Sequence, residues 1–243
     1  MNVAYNCVDR HVEAGNGDRV AIHFEGEPGD SRALTYNDLL AEVSNAANAF
    51  AELGLVAGDR VAIYMPMIPE AIVTMLACAR LGLTHSVVFA GFSTTALRSR
   101  IDDAEAKPVV TVDGQWRRGQ ARAPQARRRR GRRRRAVGAA RAGRQAHRHR
   151  RRHTVAGRDL WWHETVEKAS DKHTAQPFDA EHPLFILYTS GTSGTPKGII
   201  HTSGGYLTQA SYTHHNVFDH KPGEDVYWCT ADIGWVTGHS YIV

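Results

Sequence analysis

Residues Val61 to Phe89 read VAIYMPMIPEAIVTMLACARLGLTHSVVF, and this stretch decides the fold class. Val61 to Met65 is a short apolar run typical of a buried strand. A helical pattern follows from Glu70 to Leu81 and ends at Gly82. His85 to Phe89 predicts a second strand. A strand, a helix and a strand in so short a span favour a βαβ unit with parallel strands.

The same alternation continues on both sides of this unit. Upstream, Val20 to Phe24 predicts a strand, and Thr35 is placed to cap a helix. Downstream, Ser93 predicts the start of a helix that runs to about Ala104, and Val109 to Val112 predicts another strand. The sequence therefore predicts an α/β fold whose mainly parallel sheets are layered with helices.

The last third of the chain repeats the pattern less regularly. Leu160 to Lys172 predicts a helix, and Leu184 to Tyr188 a short apolar strand. We expect a loop to lead from this strand to a helix that begins near Gly204. Val226 to Thr230 predicts one more strand.

An arginine-rich segment at residues 117–153 divides the chain. It holds 17 arginines but no lysine, acidic residue, leucine, isoleucine or aromatic residue. Because this composition cannot bury apolar surface, we predict that the segment is disordered. The rest of the chain has 13 basic and 25 acidic residues, a net charge of −12. We therefore predict a first α/β part at 1–116 and a second α/β part at 154–243.

Composition excludes several classes of protein. No run of 18 apolar residues occurs, which argues against a membrane span. The first residues lack the apolar core of a secretory signal. Cys7, Cys78 and Cys229 lie far apart, so we expect no zinc site, and no other metal site is predicted. These features favour a reduced, cytoplasmic setting.

Residues Tyr188 to Gly198 read YTSGTSGTPKG and follow a predicted strand directly. The stretch has five hydroxyl side chains between Thr189 and Thr195, three glycines and one lysine. Glycines let backbone amides approach an anion closely, and Lys197 supplies a positive charge for a phosphate. It is not the familiar P-loop, because Gly-Lys followed by Ser or Thr is absent. We predict a phosphate-binding loop rather than a flexible surface turn.

Ile186 to Lys197 resembles the AMP-binding signature of the adenylate-forming superfamily, which includes acyl-CoA synthetases, luciferases and peptide-synthetase adenylation domains. Ser193 stands where threonine is commoner. The flanking sequence is similar to acetyl-CoA synthetases in particular. The stretches that carry this similarity are Ile63–Glu70, His85–Phe89, Arg158–Glu164, His201–Leu207 and Tyr227–Tyr241. The resemblance covers nearly the whole chain except the arginine-rich segment.

The resemblance implies two half-reactions. Acetate attacks the α-phosphorus of ATP to give acetyl-AMP and pyrophosphate, and the thiol of coenzyme A then displaces AMP. The loop is implied to hold the β- and γ-phosphates together with Mg2+, through Thr189, Ser190, Gly191, Thr192, Ser193, Gly194, Thr195 and Lys197. The resemblance also places Val236 and Thr237 in a small acyl pocket, and Arg117 and Thr237 beside coenzyme A.

The resemblance further implies that other parts of an acetyl-CoA synthetase lie beyond Val243, including the adenylation lysine of a small C-terminal domain. We therefore expect a truncated large domain with no catalytic residue, which does not make acetyl-AMP by itself. The tryptophan that would limit acyl length also lies beyond Val243. Synthetases for propionate or other short acids are therefore alternatives.

Two further interpretations concern the arginine-rich segment. Arginine tracts bind RNA, which would make the chain a non-catalytic RNA-binding fragment, but no aromatic residue is interleaved for base stacking. Alternatively, the reading frame has slipped. Shifted by one base, GC-rich codons for Gln120 to Arg130 can encode Arg-Pro-Ala-Pro-Leu-Lys-Pro-Ala-Val-Asp-Glu, which completes the family's Arg-x-Gly-Arg from Arg117. The same shift of Gln145 to His153 gives Arg-His-Thr-Asp-Ile-Ala-Val-Asp. We favour the slipped frame and expect no nucleic-acid partner.

Overall fold

The computed structural model describes residues 1–122, 136–140, 157–189 and 196–242. Within these ranges the strands form a seven-stranded sheet and two hairpins. The strands are β1 (Val20–Glu25), β2 (Ser31–Thr35), β3 (Arg60–Tyr64), β4 (Thr84–Val87), β5 (Val109–Val112), β6 (Gln115–Arg117), β7 (Gln120–Arg122), β8 (Ala136–Ala140), β9 (Asp159–Leu160), β10 (Pro183–Thr189) and β11 (Lys197–Thr202). The helices are α1 (Tyr36–Glu52), α2 (Pro69–Arg80), α3 (Thr94–Asp103), α4 (Trp162–Thr165), α5 (Ser203–Tyr212) and α6 (Val236–Ser240). Single π-helical turns occur at Tyr5–Asp9, Val12–Asn16 and Thr213–Val217.

Local capping chemistry sets the helix boundaries. The Thr35 hydroxyl accepts a hydrogen bond from the Asp38 backbone N–H at 3.1 Å, and the Asp38 carboxylate accepts from the Thr35 N–H at 2.9 Å. The Ser93 hydroxyl likewise accepts from the Ala96 N–H at 3.2 Å and begins α3. Gly82, with φ of +66°, follows the end of α2. None of the described helices is long and apolar enough to cross a membrane.

The large sheet has the order β11-β10-β4-β3-β5-β8-β9. Every neighbouring pair is parallel except β10 and β11, which are antiparallel. The predicted α/β fold with a mainly parallel sheet is confirmed. Because parallel strands end at the same edge, the loops after β3, β4, β5 and β10 lie along one side of the molecule, where α/β proteins bind ligands.

Buried side chains cover both faces of this sheet. Phe50 of α1, Met75 of α2 and Ile63 of β3 belong to one cluster of buried apolar side chains. Tyr64, the next residue of β3, instead packs with Leu97 of α3 in a second cluster. Since successive residues of a strand point to opposite faces, α1 and α2 cover one face and α3 covers the other.

A buried ion pair ties the first residues of the chain to α2. The Arg80 guanidinium, 1% exposed, donates to both oxygens of the Asp9 carboxylate at 2.7 and 2.9 Å. Its Nε donates to the His173 ring at 3.2 Å, and the Asn2 side chain donates to the Arg80 carbonyl at 3.0 Å. The N-terminal turns and the stretch before β10 therefore share one polar anchor at the end of α2.

Two predictions in the last third of the chain are wrong. The helix predicted over Leu160–Lys172 is a single turn, α4, because residues 167–172 are mostly exposed and offer no apolar face to the core. The strand predicted over Val226–Thr230 forms no ladder with the described residues. Its apolar side chains point to solvent instead: Val226 is 75% exposed and Trp228 is 83% exposed.

The structure describes part of the arginine-rich segment. Ala136–Ala140 forms β8, which pairs with β5 and β9. Gln120–Arg122 forms β7, which pairs with β6. The residues at 123–135 and 141–153 lie outside the described ranges. The disorder expected of this segment therefore stays a prediction for them.

Candidate functional site

The predicted phosphate-binding loop connects β10 and β11. The antiparallel ladder between these strands pairs Tyr188 with Gly198 and Thr189 with Lys197. The expectation that this loop leads directly from a strand to a helix is wrong, because β11 lies between the loop and α5. The loop nevertheless begins at the carboxyl end of β10, on the edge where β3, β4 and β5 also end.

Thr189, the last residue of β10, and Lys197, the first residue of β11, are the described residues on either side of this loop. Both residues are exposed, and Lys197 has no ion-pair partner within the described ranges. The other predicted loop residues lie outside the described ranges: Ser190, Gly191, Thr192, Ser193, Gly194 and Thr195. The phosphate contacts predicted for them stay predictions. The base of the loop thus carries an ammonium group that is open to solvent.

Helix α3 holds the strand end from which the loop begins. The Tyr188 hydroxyl donates to the Asp103 carboxylate at 2.7 Å. The Arg100 guanidinium lies 5.4 Å from the centre of the Tyr188 ring and 4.6 Å from that of Phe92. Burial, reinforced by the hydrogen bond to Asp103, raises the pKa of the Tyr188 phenol. The phenol is therefore a neutral donor at neutral pH, and Thr189 follows a fixed residue.

Phe89 brings two other predicted site segments together. It lies in the loop after β4, and the Arg117 guanidinium sits 5.0 Å from the centre of its ring. The Trp235 ring, one residue before α6, lies 5.0 Å from the same ring. Val236, 49% exposed, and the exposed Thr237 begin α6 beside this contact. Arg117 and Trp235 therefore meet at Phe89. The predicted acyl-pocket residues Val236 and Thr237 follow Trp235 directly in the chain.

Close backbone packing fixes the turn before α6. The Asp232 carboxylate accepts a hydrogen bond from the Gly234 N–H at 2.8 Å. Burial raises the pKa of Asp232, and the Gly234 N–H and the nearby Arg117 charge oppose this shift. A Cβ at Gly238 would lie 2.2 Å from the Asp232 carbonyl oxygen. Only glycine fits there, so the start of α6 has little freedom to move.

A row of rings and guanidinium groups connects the loop to α6. Phe92 packs edge-on against Phe89, with ring centres 5.4 Å apart, and lies 6.3 Å from Trp235. Arg100 continues this contact from Phe92 to Tyr188. We call this set the aromatic–arginine row; its members are Tyr188, Arg100, Phe92, Phe89, Arg117 and Trp235. Through it, residues that are far apart in sequence share one edge of the sheet.

The profile of the AMP-binding enzymes matches residues 8–243 of this chain. The chain belongs to the AMP-binding enzyme family. Acetyl-coenzyme A synthetase from Mycolicibacterium smegmatis is 67% identical over 249 residues, which cover 100% of this chain and 26% of that protein. The protein of the same name from Streptomyces avermitilis is 64% identical over 100% of this chain and 37% of its own length. The protein of the same name from Deinococcus radiodurans is 51% identical over 100% of this chain and 37% of its own length. The chain therefore spans about a quarter to two fifths of these relatives.

Several residues that line this edge of the sheet were assigned no role by the sequence analysis. Arg100 and Asp103 are three residues apart on α3, and this spacing alone places them on one helix face. The helical pattern did not show that this face meets Tyr188. Phe92 gave no signal beyond its apolar character. Contacts between separate elements, unlike caps, leave no local mark in the sequence.

Proposed function

We propose that this chain is the phosphate- and acyl-binding part of a longer acetate–CoA ligase, called here the parent ligase. The parent ligase joins acetate to ATP, giving acetyl-AMP and pyrophosphate. Coenzyme A then displaces AMP to give acetyl-CoA. Family membership and identities of 51–67% to acetyl-coenzyme A synthetases over the whole chain support this reaction.

One structural observation carries the proposal: Lys197 is exposed and pairs with Thr189, where the described β10–β11 ladder ends. Attack of a carboxylate on the α-phosphorus leaves negative charge on the departing pyrophosphate. A fixed ammonium group lowers the energy of that transition state, because it needs no rearrangement as the charge develops. The strand ladder fixes the Lys197 backbone, and the Tyr188–Asp103 hydrogen bond fixes its partner strand.

The cluster at Phe89 supports the assignment of the other two substrates. Val236 presents a short apolar side chain at the start of α6, which suits a small acyl group. Thr237 follows it on the same exposed turn. The Arg117 guanidinium lies 5.0 Å from the centre of the Phe89 ring, and in this proposal it contacts an anionic group of coenzyme A. In this proposal, adenylation and thiol transfer share one edge of the sheet.

The magnesium ion of this proposal arrives with ATP. No group of three His, Cys, Asp or Glu side chains that could hold a metal occurs in the described ranges. In this proposal the ion neutralises phosphate charge as part of the bound nucleotide. Cys7, Cys78 and Cys229 are free thiols, in keeping with a cytoplasmic ligase.

Lys197→Ala is expected to lower the parent ligase's acetate-dependent exchange of labelled pyrophosphate into ATP by roughly ten- to hundred-fold, because a charge that favours the transition state is lost. Initial rates are measured at saturating acetate and again at saturating propionate. A higher rate with acetate supports acetate as the substrate, and a higher rate with propionate favours the alternative synthetase.

Lys168→Ala is the matched control, because Lys168 is also exposed and precedes Ala169, whose carbonyl accepts a hydrogen bond from Asn45 of α1. Its exchange rate should stay within about twofold of the unmodified ligase. An unchanged rate in Lys197→Ala contradicts the role given to this lysine. No acetate- or propionate-dependent exchange by the unmodified parent ligase contradicts the proposed reaction itself.

A further inference from the structure

Two buried histidines join the sheet to α6. His85 of β4 is 1% exposed and His239 of α6 is 0% exposed. Their Nε2 atoms lie 2.8 Å apart, which is a hydrogen-bond distance, and their ring planes differ by 6°. The function proposed above makes no use of this pair. All five residues of α6 are described, and His239 is the one whose side chain enters the core.

Aromatic rings enclose the pair. Phe185 of β10 stacks on the His239 ring with centres 3.8 Å apart. The Tyr206 hydroxyl of α5 donates to the His239 carbonyl oxygen at 3.2 Å. His201 of β11 stacks on Phe185 at 4.3 Å. Tyr206 and His201 are the titratable groups that face the pair from these elements.

The hydrogen bond requires at least one of the two imidazoles to be neutral. One Nε2 must carry a proton and the other must accept it, since two N–H groups cannot face each other at this distance. Burial lowers the pKa of His85 to about 3. Burial, with smaller contributions from His85 and His201, also lowers the pKa of His239 well below its usual value. Both rings are therefore neutral near pH 7.

Burying the two imidazoles costs free energy, because each leaves one polar atom without a hydrogen-bond partner in the described part of the chain. The Nδ1 atoms of His85 and His239 are buried and have no hydrogen-bond partner among the described residues. Two apolar side chains of similar size would pack here without leaving polar atoms unpaired. What a hydrogen bond adds to packing is a fixed distance and direction. The hydrogen bond therefore fixes the distance and direction between β4 and α6 more closely than apolar packing would.

We propose that the His85–His239 hydrogen bond positions α6, and thereby sets how Val236 and Thr237 meet the acyl group. This inference rests on the proposed function. Val236 precedes His239 by three residues, so about one helical turn separates the buried anchor from the acyl pocket. A shift of His239 in the core moves the pocket residues by a similar distance. Misplacement of about 1 Å is enough to weaken catalysis strongly.

The test compares His239→Leu, which cannot hydrogen-bond, with His239→Gln, which can. In the parent ligase, His239→Leu is expected to raise the KM for acetate by roughly tenfold while the KM for ATP stays within about twofold. His239→Gln should recover most of the acetate KM. Hydrogen–deuterium exchange of the 243-residue chain should show faster exchange at residues 235–241 in His239→Leu only.

His201→Leu is the control, because His201 stacks on the same Phe185 ring but belongs to β11. It should leave exchange at residues 235–241 unchanged. The positioning role would be overturned if His239→Leu and His239→Gln raised the KM for acetate equally. It would also be overturned if His239→Leu raised the KM values for acetate and for ATP equally. Hydrogen–deuterium exchange separates the positioning role of His239 from the proposed acetate–CoA ligase reaction. If α6 loosens in His239→Leu but the parent ligase uses neither acetate nor propionate, the positioning of α6 holds and the proposed reaction fails.

Discussion

Replacing Arg80 by methionine is expected to lower the free energy of unfolding by about 3–5 kcal/mol, the range for breaking a buried ion pair on one side. Methionine fills much of the space of the arginine side chain, so the loss comes mainly from charge. The Asp9 carboxylate, 13% exposed, would lose both of its hydrogen bonds to the guanidinium. The His173 ring would lose its contact with Arg80 Nε. Urea unfolding followed by tryptophan fluorescence measures the change.

Arg98→Met is the matched control for this substitution. Arg98 also pairs with an aspartate, Asp102, but both side chains are more than half exposed. Its effect should be no more than about 0.5 kcal/mol. The double variant Arg80→Met, Asp9→Leu removes both charges and should regain part of the stability. A loss below about 1 kcal/mol in Arg80→Met would show that the buried pair contributes little.

Lowering the pH from 6.5 to 4.5 is expected to destabilise the chain by about 2.3 kcal/mol through His85 alone. Burial lowers the folded-state pKa of His85 from 6.5 to about 3. Between these two values the unfolded chain binds a proton that the folded chain does not. Stability therefore falls as the pH falls through this window. His239, whose pKa burial also lowers, acts in the same direction.

The measurement is the difference in urea stability between the unmodified chain and His85→Gln over this pH range. Burial raises the pKa values of Glu42 and Glu70, and raised carboxyl pKa values act in the opposite direction. These carboxyl groups are present in both proteins, so their contribution cancels in the difference. The unmodified chain should lose more stability per pH unit than His85→Gln. Parallel pH profiles would contradict the neutral, buried state of His85.

The fold was readable from the sequence where the signals are local. Thr35 and Ser93 cap helices through their own neighbours, and Gly82 ends α2 where the helical pattern stops. The strand over Val109–Val112 has the predicted bounds. Such features depend on a few consecutive residues, so single-sequence reasoning captures them.

Features that depend on residues distant in sequence could not be predicted from the sequence alone. Lys197–Thr202 has two apolar residues, Ile199 and Ile200, both exposed, and it is a strand through its pairing with β10. The run at Val226–Thr230 is richer in apolar and aromatic residues but pairs with no strand within the described ranges. The meeting of Arg117 and Trp235 at Phe89 joins segments more than 100 residues apart. Tertiary packing decides these cases, whatever the local propensity.

The pairing of Thr189 with Lys197 separates two kinds of sequence change in this region. Substitutions between these residues alter the groups of the proposed phosphate-binding loop but leave the two flanking positions in register. Inserting or deleting one residue inside either strand would instead turn the following side chains to the opposite face of the sheet. Attempts to test or change the proposed phosphate binding should therefore vary residues 190–196 and keep both strand lengths constant.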